Sequence, residues 1–284
     1  MPAEPVAAAD DVGPARPTTR LTRATLVLAA VLTTTAFVQL YVFSTETDRW
    51  FAWTIDEPMS AAVLGSFYLT STVTVLFSLR PREWALARIA FPSIVVFIWG
   101  TLLVTVLHWD KFHFDDGPTS AKIAAWAWLV VYVVDPVLVT VVWIVQARRP
   151  GPDPPAQRPL PAPYRGLLMA GTAAFTFLGA VLFLAPDWTA DWWPWAITPL
   201  TARAMACWIL ALAVLFVTML HDDDVDRVRP GSAPFVVLAL LLLGALVRFW
   251  DHLSGAGRWV YLVGLVGLAL VSMPTRFRRP AREP

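Results

Sequence analysis

Long apolar runs alternate with short polar connections along most of the chain. A run of about 20 apolar residues is long enough to cross the hydrocarbon core of a membrane as an α-helix. The runs lie at residues 24–43, 60–79, 89–108, 122–146, 166–185, 202–220, 234–250 and 259–274. This pattern predicts an all-α, polytopic membrane protein with eight transmembrane helices.

The second half of the chain repeats the pattern of the first half. A constant shift of 142 residues aligns residues 23–55 with residues 165–197 without a gap. The segment DRWFAWTIDEP at 48–58 thereby recurs as DWWPWAITP at 191–199. Such self-similarity is typical of an internal duplication. Each unit contains four helices, so both units enter the membrane from the same side and form parallel repeats. We expect a site in a cavity between the two halves.

The predicted organisation has five parts. They are a disordered tail at 1–22, a first four-helix repeat at 23–146, a Pro-rich linker at 147–164, a second four-helix repeat at 165–275 and a basic tail at 276–284. Sixteen of the 22 Lys and Arg residues lie in, or directly beside, the tails, the linker and the loops of one side. Because positively charged loops stay in the cytoplasm, we predict a cell-membrane protein with both termini cytoplasmic.

The composition excludes several classes of protein. Hydrophobic residues make up 57% of the chain and charged residues 15%, with a mean hydropathy of +0.59, which is too apolar for a soluble domain. The net charge of +1 excludes a strongly basic nucleic-acid-binding protein. Cys207 is the single cysteine, so an intrachain disulfide and a cysteine metal cluster are both excluded. Phosphate-binding, dinucleotide and hydrolase motifs are absent, and we expect no cofactor and no metal.

Ten of the 15 Trp residues lie at or near the predicted outer side. Tryptophan is enriched at membrane–water boundaries, so these residues fit an interfacial belt. Their one-sided distribution also fits an aromatic pocket, because indole rings stabilise cations. The tryptophans expected to line such a pocket are Trp53, Trp109, Trp195 and Trp250.

Asp56 and Glu57 are carboxyl residues that only the first copy of the repeated motif carries. Acids just before Pro58 suit the start of a helix, where they complement the helix dipole. A carboxyl beside an apolar, aromatic surface is alternatively suited to donate a proton. Both interpretations stand at this point.

Asp135 is the most isolated charge, within VVYVVDPVLV near the middle of the fourth run. An ionisable group at this depth is costly and therefore indicates function. It also fits a neutral acid bonded to the backbone where Pro136 interrupts the helix. Arg248 is likewise a charged residue within an apolar run, near the outer end of the seventh. Two partners are possible for it: Asp251, or an acid of the other half.

Two further segments suggest metal chemistry. HWDKFHFDD at 108–116 offers imidazole and carboxylate groups, but its spacing matches no specific ligand motif. Asp222–Asp226 has the D-D-x-x-D form of the aspartate-rich motif in prenyl-diphosphate enzymes, where carboxylates hold Mg²⁺. A charge run of this length is also typical of a solvated loop.

Three segments resemble a large group of actinobacterial membrane proteins. They are FAWTI-x-x-P-x-S-A-A-x-L-G-x-x-Y at 51–68, LHWDKFHF at 107–114 and WPWAITPLTAR at 193–203. The resemblance covers most of the chain and implies a duplicated four-helix fold.

The chain also resembles, in architecture and chemistry, the integral-membrane terpene cyclases of meroterpenoid pathways. It shares with them a small all-helical membrane body, abundant Trp and isolated acids such as Glu57 and Asp251. The resemblance implies an enzyme that protonates a lipophilic prenylated small molecule and guides the carbocation along aromatic walls, without a metal. The donor would then be Glu57 or Asp56, with Asp110 and Asp251 as further carboxylates, and Phe51, Tyr68 and Arg248 would complete the substrate site. The alternatives are a proton-coupled transporter or lipid-binding protein that uses Asp135, and a Mg²⁺-dependent prenyltransferase that uses the 222–226 aspartates.

Overall fold

The computed structural model describes residues 15–253 and 255–272 and is all-helical over that part of the chain, with no strand. Its long helices are α1 (Arg20–Phe37), α2 (Pro58–Leu79), α3 (Phe91–Leu107), α4 (Thr119–Ala147), α5 (Ala162–Leu184), α6 (Pro199–Asp222), α7 (Phe235–Arg248) and α8 (Gly255–Val271). Short α-helices lie at Thr47–Trp50, Trp84–Ala87, Pro186–Ala190 and Val225–Ser232. A π-helical turn extends α1 over Val38–Val42, and 3-10 turns lie at Arg88–Ala90, Trp109–Lys111 and Trp250–His252.

Seven helical segments are long and apolar enough to cross a membrane. These segments correspond to the first seven predicted runs, and they confirm an all-α protein compatible with a polytopic membrane fold. The helix α8 has 17 residues and is shorter than the other seven segments. The predicted eighth run extends beyond it, and the basic tail at 276–284 lies outside the described residues.

Local sequence signals explain where the two central helices begin. Pro58 and Pro199 occupy the first turns of α2 and α6, where a missing backbone N–H is harmless. The residue before each proline caps the helix: a Glu57 carboxyl oxygen accepts a hydrogen bond from the Met59 N–H, and the Thr198 hydroxyl oxygen accepts one from the Thr201 N–H. These side chains satisfy donors that a helix start leaves open.

The helices α2 and α6 form the centre of the molecule. Within their most apolar stretches, 67% of α2 and 61% of α6 is buried, against 22% for α1 and 17% for α5. The helix α2 packs between α1 and α7, and α6 packs between α5 and α3. The remaining close pairs are α3 with α4 and α7 with α8.

One glycine allows a close approach that positions α1. A methyl group at Gly65 of α2 would lie 2.8 Å from the backbone nitrogen of Tyr41, so only glycine fits there. The Tyr41 side chain then reaches across the molecule, and its hydroxyl donates to the Leu241 carbonyl of α7 at 2.9 Å. The end of α1 is thereby fixed against both α2 and α7.

The loops gather at two ends of the helix bundle. We call the end formed by 43–57, 108–118, 185–198 and 249–253 the tryptophan-rich end, and the end formed by 15–19, 80–83, 148–161 and 222–224 the arginine-rich end. Residues 15–19 were expected to belong to a disordered tail, but they are ordered. The Arg16 guanidinium donates to the Gly151 carbonyl, and the Thr18 N–H donates to the Arg82 carbonyl at 2.7 Å. Partners distant in sequence order this segment, which local composition does not reveal.

Candidate functional site

The candidate site is a cavity of about 210 Å³ inside the helix bundle. Its walls come mainly from α1, α2, α3 and α4, and α6 completes the lining together with Gly231 and Phe235 around the start of α7. The sequence predicted a cavity between the two halves, whereas most of this lining belongs to the first half of the chain.

Aromatic rings cover much of the cavity wall. The aromatic residues among its lining are Phe51, Phe67, Tyr68, Phe97, Trp128, Tyr132, Trp208 and Phe235. The rings of Trp208 and Phe97 stack with centroids 3.8 Å apart, and Trp128 lies 4.3 Å from Tyr132. Phe51 and Tyr68 lie where the sequence predicted a substrate site. Trp128 and Trp208 were not predicted, because a tryptophan inside an apolar run is indistinguishable by sequence from one that packs in the core.

Asp135 is the only acid among the residues that line this cavity, and none of them is basic. It lies on one face of α4 with Trp128, Tyr132 and Val139, at the three- and four-residue spacing that brings side chains together on a helix. The described structure gives its carboxyl no hydrogen bond and no ion pair. A carboxyl without a counter-ion in apolar surroundings is held at least cost as the neutral acid.

Two tyrosine hydroxyls form a buried pair beside this carboxyl. The Tyr68 and Tyr132 oxygens lie 2.9 Å apart, and both side chains are at most 5% exposed. Tyr132 precedes Asp135 by one helical turn. The Tyr132 member of the pair therefore lies one turn from the acid, and the hydrogen bond fixes the two tyrosine side chains relative to each other.

Three threonines of the lining offer acceptors. Thr33, Thr70 and Thr74 donate their hydroxyl protons to carbonyls one turn earlier in their own helices, at 2.8–2.9 Å. Such back-bonding commits the proton and leaves the oxygen as an acceptor, and the Thr33 oxygen also lies 2.7 Å from the Thr72 hydroxyl. Together with the aromatic faces and Asp135, this wall is suited to a group that carries or develops positive charge.

Glu57 and Asp56 do not line the cavity. Besides capping α2, Glu57 lies 2.9 Å from Nδ1 of His252, across the tryptophan-rich end. Asp56 is exposed. The capping geometry pairs Glu57 with Thr198, so Asp56 is the residue that has no counterpart in the second motif.

Trp53 and Trp195 are buried in packing contacts. Trp53 is 3% exposed and packs among Phe51, Phe112 and Trp128, with ring centroids 4.5–5.2 Å apart. Trp195 is 6% exposed and donates its Nε1–H to the Ser60 hydroxyl at 2.8 Å. Neither ring lines the cavity, so both act in joining loops and helices.

The other predicted site residues lie at the surface of the tryptophan-rich end. Trp109 and Trp250 are 47% and 43% exposed, which fits the interfacial belt. Asp110 is exposed, and a hydrogen bond from Lys111 lowers its pKa. Asp251 is exposed as well. Arg248 pairs with neither Asp251 nor an acid of the first half; its guanidinium donates to the Tyr41 carbonyl at 2.9 Å.

The histidines of 108–116 bind different partners and do not form a metal site. Partial burial and the charge of Arg203 lower the pKa of His108, whose Nε2 accepts a hydrogen bond from that guanidinium at 2.8 Å. His113 lies 3.1 Å from the Thr54 hydroxyl instead. Over the described residues, no group of three or more His, Cys, Asp or Glu side chains is arranged to hold a metal ion.

The aspartates of 222–226 join three segments at the arginine-rich end. Arg88 forms ion pairs with Asp222 and with Asp153 of the linker. Arg165 pairs with Asp223. Asp224 accepts hydrogen bonds from four backbone N–H groups: those of Gln157, Arg158, Asp226 and Arg227. These carboxylates are engaged by protein partners, so they are structural in this arrangement.

No protein-family model matches this sequence, and no curated protein and no solved structure matches it significantly. The fold and the cavity define its class, an all-α protein of membrane-spanning composition with an aromatic-lined cavity that contains one carboxyl.

Proposed function

We propose that the protein is a membrane-embedded terpene cyclase with Asp135 as its proton donor. The observation that carries this proposal is the position of Asp135 on the wall of an aromatic cavity whose lining has no basic residue. Glu57, the donor first expected, is engaged as a helix cap and in the contact with His252. The substrate is a lipophilic prenylated small molecule that enters from the bilayer.

The proposed reaction is an isomerisation. The Asp135 carboxylic acid transfers its proton to one carbon of a prenyl alkene, which leaves a tertiary carbocation on the neighbouring carbon. An internal alkene attacks this cation, forming a carbon–carbon bond and a ring. The cyclised cation then loses a proton, and the carboxylate regains one, so atoms and charge balance. Aromatic faces stabilise each cation by about 0.5–2 kcal/mol per ring.

The proposal includes eight transmembrane helices in two parallel repeats, with both termini in the cytoplasm. The packing pattern supports the repeats: α1 with α2 corresponds to α5 with α6, and α2 with α7 corresponds to α6 with α3. The concentration of Arg residues at one end and Trp residues at the other supports the orientation.

A proton-coupled transporter would use the same carboxyl. Transporter sites commonly lie where helices are interrupted and half-helix ends point at the substrate. The helix α4 instead continues through Pro136 to Ala147, and the Thr140 hydroxyl donates to the Pro136 carbonyl at 2.6 Å. This continuity favours a fixed cavity over an alternating pathway.

The proposal is tested by turnover of farnesylated phenols and indoles by the purified protein in the presence of a chelator. We expect cyclised product from the wild type and from Glu57→Gln, and a loss of about 100-fold or more in Asp135→Asn, the usual range for removing a general acid. Absence of product across the substrate panel would reject the cyclase. Full activity in Asp135→Asn would reject the assigned donor, and pH-driven uptake of substrate by liposomes without product would favour transport.

A further inference from the structure

A second cavity of about 290 Å³ lies between α5, α6 and α8. Its lining has no charged residue, in contrast to the cavity that holds Asp135. We call it the apolar groove, defined by Phe67, Leu167, Gly171, Phe175, Ile209, Leu212, Phe216, Gly264, Gly267, Leu268 and Val271.

Phe67 and Leu212 line both the cavity and the apolar groove. These two side chains therefore belong to a wall that the two spaces share. The Phe67 ring also stacks on Trp208 of the cavity wall, with centroids 5.7 Å apart and nearly parallel planes. A flexible hydrocarbon chain that passes these side chains would occupy both spaces at once.

The apolar groove occupies the position in the second half that the cavity occupies in the first. The two halves align with a shift of 142 residues up to residue 55 and, after a one-residue gap, with a shift of 141 residues, and this alignment pairs residues of the two walls with each other. The pairs are Ala29 with Gly171, Thr33 with Phe175, Tyr68 with Ile209, Ser71 with Leu212, Val75 with Phe216, and Phe67 with Trp208. Each polar member of these pairs in the first half has an apolar partner in the second.

The helix α8 continues this contrast. The groove residues Gly264, Gly267, Leu268 and Val271 have the same spacing along α8 as Trp128, Val131, Tyr132 and Asp135 along α4. A side chain added at Gly264 or Gly267 would meet no protein atom within 4 Å. Aromatic rings and a carboxyl thus line one space, while glycines leave the other open.

We propose that the apolar groove binds the unreactive hydrocarbon tail of the same ligand whose reacting end lies against Asp135. This inference rests on the proposed cyclase and specifies its substrate class as a long-chain prenyl compound. Because Phe67 and Leu212 line both spaces, a ligand with its reacting end in the cavity would extend its tail past them into the groove. The groove lacks the polar side chains of the cavity wall, so it suits saturated or unreactive carbon.

The test uses alkyl dimethylamines that carry a photoreactive diazirine at the far end of the chain. The protonated amine is a stable mimic of the cation at Asp135, so binding is measured without turnover. In lipid nanodiscs, we expect a hexadecyl probe to label residues of α5 and α8 and an octyl probe to label the cavity wall, mapped by peptide mass spectrometry.

Gly267→Leu fills the groove, and Gly166→Leu is its matched control. A side chain at Gly166 also meets no protein atom within 4 Å, and Gly166 lines neither space. We expect Gly267→Leu to lower groove labelling by the hexadecyl probe about tenfold, because fewer methylenes are buried, and to leave labelling by the octyl probe unchanged. We expect Gly166→Leu to leave labelling by both probes unchanged.

Asp135→Asn distinguishes a ligand tail from a membrane lipid. We expect this variant to lose groove labelling by the amine probe. Groove labelling by a phosphatidylcholine that carries the same diazirine should be the same in this variant and in the wild type. Groove labelling that persists in Asp135→Asn, or that Gly267→Leu does not change, would overturn the inference. Turnover without groove labelling would contradict the tail site alone, and labelling without turnover would contradict the cyclase alone.

Discussion

At the residue scale, Asp135 and Glu57 are both carboxyls near aromatic rings, but their partners differ. Glu57 accepts a backbone N–H and lies 2.9 Å from the His252 ring. Asp135 faces a cavity together with Tyr132, and the described residues give its carboxyl no bonded partner. A carboxyl that is already bonded supports structure, and one that faces an open space is available to a ligand.

The hydroxyl pair beside Asp135 gives a prediction about stability. Tyr68→Phe or Tyr132→Phe leaves the other buried hydroxyl without its partner, and we expect each to cost about 1–3 kcal/mol. The double variant removes both hydroxyls, so its loss should be smaller than the sum, with a coupling energy of about 1 kcal/mol. Unfolding of the four proteins in detergent, followed by circular dichroism, measures the cycle. Additive losses would show that the hydrogen bond contributes nothing.

The sequence drew attention to Asp135, because a charge within an apolar run is visible without a structure. It did not identify Trp128 and Trp208, although Trp128, Tyr132, Asp135 and Val139 follow the spacing of one helical face. It also assigned Trp53 and Trp195 to a pocket, whereas both pack in loops. Which side of a helix faces a cavity depends on contacts between helices that are distant in sequence.

At the scale of elements, apolar length and proline positions predicted the helices to within a few residues. The linker was harder to predict, because its Pro and Gly content is typical of a flexible segment. Its order comes from bonds to residues far along the chain, above all to Asp224. This carboxyl caps the helix Val225–Ser232 through Oδ1 and accepts the N–H groups of Gln157 and Arg158 through Oδ2.

Asp224 gives a prediction about pH. Burial by itself would raise the pKa of its carboxyl, but the four N–H bonds outweigh burial and lower the pKa below its ordinary value. A lowered folded-state pKa stabilises the fold above the unfolded-state pKa of about 3.9, and this stability is lost as the pH falls through the folded-state pKa. We expect Asp224→Ala to lower the free energy of unfolding by about 1–2 kcal/mol at neutral pH. We also expect the free energy of unfolding of this variant to fall less steeply toward acidic pH than that of the wild type.

Equilibrium unfolding between neutral and acidic pH measures this effect. Asp116→Ala, at an exposed loop position, is the control and should retain the wild-type acid limb. An Asp224→Ala protein with unchanged stability at neutral pH would contradict the role assigned to this cap.

At the scale of the whole molecule, one ion-pair cluster connects the halves at the arginine-rich end. Arg88 bridges Asp222 at the end of α6 and Asp153 in the linker, and the Asp222 side chain is 1% exposed. Arg88→Gln leaves that carboxylate buried and unpaired, so we expect a loss of about 2–3 kcal/mol, less than for a fully buried pair because Arg88 is partly exposed. Adding Asp222→Asn should recover part of the loss, and Arg149→Gln at an exposed position should have little effect.

The position of the cavity was the least predictable feature of the whole molecule. The repeated sequence pattern suggested a site between two equivalent halves, but the two halves of the chain differ in what they line. Thr33, Thr35 and Gln39 of the first half align with Phe175, Phe177 and Val181 of the second. These differences are readable in the sequence once the cavity is known, yet nothing in the pattern alone says which of them face a shared space.

The most direct test of the account is the reaction of the wild-type protein with a farnesylated phenol in D₂O, followed by mass spectrometry and NMR of the product. Proton transfer from Asp135 predicts a cyclised isomer that carries one deuterium at the carbon that was protonated, and no such product from Asp135→Asn. An unlabelled product, or an equally labelled product from Asp135→Asn, would contradict the assignment of Asp135 as the donor.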